Sequence, residues 1–272
     1  MAFSVNTNTG AMAALQSLNA TNKGLDTVQS RINTGLAVAS TKDDSASFTI
    51  AQTLRGEMGG LKAVNSSLSR AKSTVDVAVA GAEQISDLVN QMKTKATEAS
   101  DAGLDDDSRA AIAKDFDALK EQINTIIDSS EFNGTNLLKA SGGTVAALQS
   151  TDTSADTLDV DNQDFTDVVN DITGDLTSAA NAGTMVTTLE TAAETINEKL
   201  STLGAASRKI DGQMSFTSKL SDVIEGGIGN LVDADLAKES AKLQALQVKQ
   251  QLGLQALSIA NQAPQSITSL FR

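Results

Sequence analysis

Leu61, Val64, Leu68, Ala71, Val75, Ala78, Ala82, Ile85, Val89, Met92 and Ala96 follow one another at alternating steps of three and four residues, without a break. An apolar stripe kept in that register over so many turns is narrow. It excludes a strand, whose period is two, and predicts a long helix whose seam packs against other helices. A second register, Ile112, Phe116, Leu119, Ile123 and Ile126, follows the glycine and acids of "DAGLDDDS" (101–108) and stops near "EFNG" (131–134), where Asn-Gly supplies turn chemistry. A third runs through Val186, Leu189, Ala193, Ile196, Leu200, Leu203, Ser207, Ile210, Met214, Thr217, Ser221, Ile224, Ile228 and Leu231. At the helical rise it spans about 70 Å.

Between these registers, from 135 to about 183, the helical period vanishes. "GGTVAALQSTDTSADTLDVD" reads as two short strands around a polar turn. The Thr-, Ser- and Asp-rich remainder reads as a surface segment with a short helix at 164–172. Two joints flank the long helices. "NTGLAVASTKDD" follows an N-terminal register of Ala14, Leu18, Thr21, Leu25, Val28 and Ile32. At "GGIGNLVDADL" (226–236) glycines coincide with a one-residue slip of phase, after which Val232, Leu236, Glu239, Leu243 and Leu246 resume. The expected fold is therefore mainly α: long antiparallel helices in a rod-like coiled-coil bundle with a small β-hairpin insertion, and paired N- and C-terminal helices. The domains are nested, with terminal pieces at 1–40 and 235–272 around a rod at 41–234.

The last helix has more apolar surface than one partner covers. Leu243, Leu246, Gly253, Leu257 and Ala260 form one stripe; Val248, Leu252, Ala256, Ile259 and Ala263 form another, about a third of a turn away. Leu254 adds to this surface, and Leu15 adds to that of the N-terminal helix. A pair of terminal helices buries one stripe and leaves the other in water, and a contiguous exposed apolar patch indicates an interaction surface. The simplest partner is another copy of the same pair; the alternative is that the termini fold back onto the rod as ordinary core, against which the glycine joints and the rod's complete seams weigh. Contact between unlike patches of identical copies propagates as an open helical polymer.

Composition removes most rival chemistries. Among the 272 residues there is no Cys, no His, no Trp and no Tyr. No thiolate, no imidazole base and no ordinary zinc or copper site can be built, and no metal or cofactor is expected. The net charge of −13 argues against nucleic acid, and no run of eighteen apolar residues exists to span a membrane. "DVDNQD" (159–164) has calcium-like oxygen spacing but lacks the glycine turn and terminal Glu of a calcium loop. The charge is uneven: Asp26 is the only acid in the first 42 residues, and the last 33 contain none. No catalytic triad or phosphate loop can be picked out, so an enzyme is the remotest reading and a soluble helical binding module a nearer one.

Three segments carry a resemblance to bacterial flagellins. "RINTGLAVASTKDDSASFTIAQTLR" (31–55) resembles the family signature R-L-S-S-G-L-R-I-N-S-A-K-D-D-A-A-G-L, keeping Arg31, Gly35, Leu36, Lys42, Asp43 and Asp44. "EFNG" matches the family's [QE]-F-N-G turn through Phe132, Asn133 and Gly134. The chain's end resembles I-E-D-A-D-Y…Q-A-N-Q-x-P-Q-x-x-L-x-L-L-R, with Asp233, Asp235, Asn261, Gln262, Pro264 and Arg272 in place. The similarity covers about 1–140 and 185–272 and implies the short class without large outer domains.

The resemblance implies that 1–40 and 235–272 form an inner-tube domain and 41–234 the rod around it. It implies a self-polymerising subunit of the flagellar filament, a passive propeller outside the cell, with no catalysis. The partners it implies are the chain itself, alone or mixed with other flagellins, the flagellar type III export apparatus and an export chaperone, the hook–filament junction proteins and the filament cap. A hook–filament junction protein, which has related ends, is the alternative. Flagellins seen by the Toll-like flagellin receptor carry Q-R-V-R-E-L on the first rod helix. The matching positions here are Asp87, Leu88, Val89, Asn90, Gln91 and Met92, which implies weak or no receptor activation.

Overall fold

The computed structural model describes residues 7–152 and 157–270, the last eight of them by backbone alone. In order, its elements are α1 (Thr9–Thr34), α2 (Ser45–Ala99), α3 (Asp106–Ser129), β1 (Val145–Ala147), β2 (Leu158–Val160), α4 (Phe165–Asp171), α5 (Ala179–Val232) and α6 (Leu236–Leu270). The chain is mainly helical with one antiparallel hairpin, as the periodicities require. It divides into two compact units: residues 1–56 with 223–272, and residues 57–222.

The unit of residues 57–222 holds a continuous core. Every member of the first heptad register, from Leu61 to Ala96, is buried. α3 contributes Phe116, Ile123 and Ile127, and α5 contributes Leu189, Ile196, Leu203 and Ile210. Lys72 reaches Asp211 at 3.1 Å and Lys93 reaches Glu190 at 2.9 Å, which sets α2 and α5 antiparallel. The turn between α2 and α3 is held by buried Arg109, whose guanidinium donates to the carbonyls of Ala99, Asp101 and Leu104.

The hairpin pairs Val145 with Val160 and Ala147 with Leu158, and these four side chains face the core. Asn133 (φ 51°) and Gly134 (φ 80°) form the reversal between Phe132 and Thr135, which exchange backbone hydrogen bonds of 3.0 and 3.1 Å. Positive φ at both central positions is the geometry that Asn-Gly supplies at least cost.

The polar segment after β2 departs from its expected surface position. Phe165, Val168, Val169, Ile172 and Leu176 are all buried in this core. The acids between them point outward, so composition described the exposed face of α4 and missed its inner one. Lys120 donates to the Ile172 carbonyl at 2.6 Å, and Lys199 donates to that of Gln163, fastening the segment to α3 and α5.

The second joint also differs in detail. α5 continues through Gly226, Gly227 and Gly229 and breaks only at Asp233–Asp235. The break comes where other hydrogen bonds replace the helical ones: Ala37 and Val38 donate to the Val232 carbonyl, at 2.7 and 3.2 Å. Glycine weakens a helix without ending it unless a competing partner is at hand.

Candidate functional site: the paired terminal helices

The unit of residues 1–56 and 223–272 is built around α1 and α6. Asn8 Nδ2 donates to the Ala260 carbonyl at 2.7 Å, and Gln250 Nε2 donates to Asn22 Oδ1 at 2.8 Å. Arg31 lies 3.6 Å from Glu239. Each advance along the N-terminal segment is matched by a retreat along α6, so the two helices are antiparallel. Two glycines bring them close: a Cβ on Gly24 would lie 3.5 Å from Leu246, and one on Gly253 would lie 3.3 Å from Leu18. Leu18 and Leu246 are thus knobs set over positions without side chains. The heptad stripe identified Gly253; Gly24 gave no such signal.

The connection at the root of the pair explains the signature residues locally. Gly35, at φ +73°, closes α1 with its N–H on the Arg31 carbonyl at 2.9 Å, a left-handed cap that suits glycine. Leu36 bridges Asp233, and Ala234 donates to the Gly35 carbonyl at 2.9 Å. The Asp43 carboxylate accepts from the backbone N–H groups of Ala39 and Ser40 and from the Ser40 hydroxyl, at 3.0–3.1 Å. Asp44 accepts from the N–H groups of Ala46 and Ser47 and from the Ser47 hydroxyl, capping the start of α2. Those hydrogen bonds, from Ser40 first for Asp43 and from Ser47 first for Asp44, hold both carboxyls below the usual Asp value. Asp235 caps α6 by accepting from Lys238 N–H at 3.0 Å. Lys42 is exposed, as are Asn261 and Gln262 on α6. Pro264 lies where only the backbone of α6 is described, and Arg272 lies outside the described residues.

The burial pattern of the pair is lopsided. In α1 the seam residues Leu18, Leu25 and Val28 are buried, Ala14 and Ile32 are half-buried, and Leu15 is exposed. In α6 the first stripe of Leu243, Leu246 and Leu257 is half-buried. Val248, Leu252, Leu254 and Ile259 are exposed on other faces. Among its described side chains the only buried one is Glu239, which receives a 2.6 Å hydrogen bond from Lys242 and faces Arg31. Glu239 fell in the heptad stripe of the sequence, but its charge gave no hint that Arg31 would face it. In its described part this 35-residue helix buries no apolar side chain fully, and α1 covers its first stripe only in part.

Apolar faces left uncovered on paired helices are surfaces for another chain. The comparisons with known proteins agree. The model of the bacterial flagellin N-terminal helical region matches residues 5–143, and that of the C-terminal helical region matches residues 186–271. Flagellin FljK of Caulobacter vibrioides is 47% identical over 269 residues, covering 99% of this chain and 98% of that one. A flagellin of Brucella melitensis is 39% identical over 281 residues, covering 99% of each chain. The crystal structure of Bacillus cereus flagellin superposes with a TM-score of 0.51 at 26% identity, covering 54% of this chain and 86% of that one. The chain belongs to the bacterial flagellins. It is a structural, self-polymerising subunit of the flagellar filament, not an enzyme, and nothing in these comparisons favours a hook–filament junction protein.

Proposed function

We propose that α1 and α6 complete their core only inside the polymer, so that folding of the chain ends and entry into the filament are one event. The exposed stripe of Val248, Leu252 and Ile259 carries this reading. Electrostatics supports a second copy as the cover. No charged side chain occurs from Thr7 to Asn22 or from Gln250 to Gln262, so identical copies of a −13 chain meet there without repulsion between like charges. On this reading 1–40 and 235–272 make up the inner tube and 41–234 the surrounding rod. The compact unit containing α1 and α6 reaches further, to Gly56 and from Val223.

The protein functions outside the cell, delivered by the flagellar type III apparatus with its export chaperone and placed between the hook–filament junction and the cap. Ends that are loose before assembly suit passage through a narrow channel. Deleting 241–272 tests the reading: the remainder stays soluble and helical and no longer extends filament seeds, and extension by that truncation would refute it. We further propose that Toll-like flagellin receptors respond weakly or not at all. At the matching positions only Asp87, Asn90 and Gln91 are exposed, while Leu88, Val89 and Met92 are buried. A strong response of receptor-bearing cells to purified monomer would overturn this.

A further inference from the structure

α2 and α5 each run unbroken past the division between the compact units, which falls after Gly56 in one and after Asp222 in the other. Through most of residues 57–222 they are anchored by buried apolar side chains, and that continuous core ends at Val64 and Ile210. Beyond it the anchoring thins. No residue from 52 to 60 of α2 is buried, and from 211 to 227 of α5 the only buried side chain is that of Thr217.

Glycines sit in this thin stretch of both helices. A Cβ at Gly56, Gly59, Gly226 or Gly227 would meet nothing within 4 Å, so close packing does not demand glycine at any of them. Gly60 is different, because a Cβ there would lie 2.6 Å from the Thr151 methyl. The two helices are antiparallel, with Lys72 opposite Asp211 and Ser207 opposite Asp76. Each glycine disfavours the helical state about fivefold relative to alanine. Missing core and lowered propensity therefore coincide within each helix.

We infer that α2 and α5 each carry a built-in soft stretch, at Gly56–Gly59 and at Gly226–Gly227, where the helix opens locally while the core from Val64 to Ile210 stays intact. Their use rests on the assembly reading. Helices that yield there let each copy adjust to its neighbours in the polymer while its core keeps its packing.

Amide exchange on the full chain tests this, in dilute monomer and in seeded filaments. Residues 52–60 and 211–227 should exchange faster than 64–75 and 196–210. The variant G56A/G59A/G226A/G227A, whose new methyl groups have room, should slow those two stretches about 25-fold and leave the flanks unchanged. Equal protection in the parent chain, or slowing spread evenly along both helices, would overturn the inference. If no filaments form, the assembly reading fails by itself, and the exchange contrast in the monomer still decides the two soft stretches.

Discussion

Replacing Leu252 and Ile259 together by glutamine separates assembly from folding. Both side chains are already in water in the single chain, 57% and 69% exposed, so the substitution removes no internal core. Glutamine also forms helix about as well as leucine. Full burial of such a side chain contributes about 1.5–3 kcal/mol, and the exposed fractions leave about 1–2 kcal/mol per residue for assembly to gain. Losing both forfeits about 2–4 kcal/mol per subunit, which raises the critical concentration for filament growth roughly 30- to 700-fold. The assay is seeded growth followed by sedimentation across a concentration series, with circular dichroism of the monomer as control. An unchanged critical concentration would refute the claim that a second copy covers this stripe. A loss of monomer helicity would mean that the stripe packs within the chain.

Other perturbations follow from the same structure. Arg109→Ala removes the side-chain donor to the carbonyls of Ala99, Asp101 and Leu104, of which Asp101 keeps the Leu104 N–H at 3.3 Å; it should cost about 2–4 kcal/mol, read as a drop in Tm, and Arg109→Lys should not restore it because lysine lacks the guanidinium fork. At Gly142, alanine places its Cβ against the Asn136 carbonyl oxygen, so Gly142→Ala should destabilise by about 1–3 kcal/mol in urea unfolding. Asp43 and Asp44 titrate below the ordinary value of 3.8 in the folded chain. Their contribution is therefore fully present above pH 3.8 and lost as the pH falls through the lower folded values. Asp43→Asn with Asp44→Asn should flatten this acid response, monitored by amide exchange over 36–48.

The first heptad register was readable because a seam with helices around it needs a period near three and a half, and nothing else along 61–96 competes with that demand. In α6 the structure half-buries Leu243 and Leu246 and leaves Leu252 and Ile259 exposed, a difference that the spacing of two stripes anticipates. The inner face of α4 was not legible. Phe165, Val168 and Ile172 are too few among acids to show a period, and they become core only because α3 and α5 leave a space for them.

Sequence alone determined the element types and the excess of apolar surface at the two ends, since these depend on local spacing and composition. Tertiary structure alone decided that Arg31 faces Glu239, that Leu18 and Leu246 rest over Gly253 and Gly24, and that α5 runs through its glycines to break at Asp233. These are meetings between residues far apart in the chain. Their energies depend on which partner arrives, and the spacing along one helix carries no record of that.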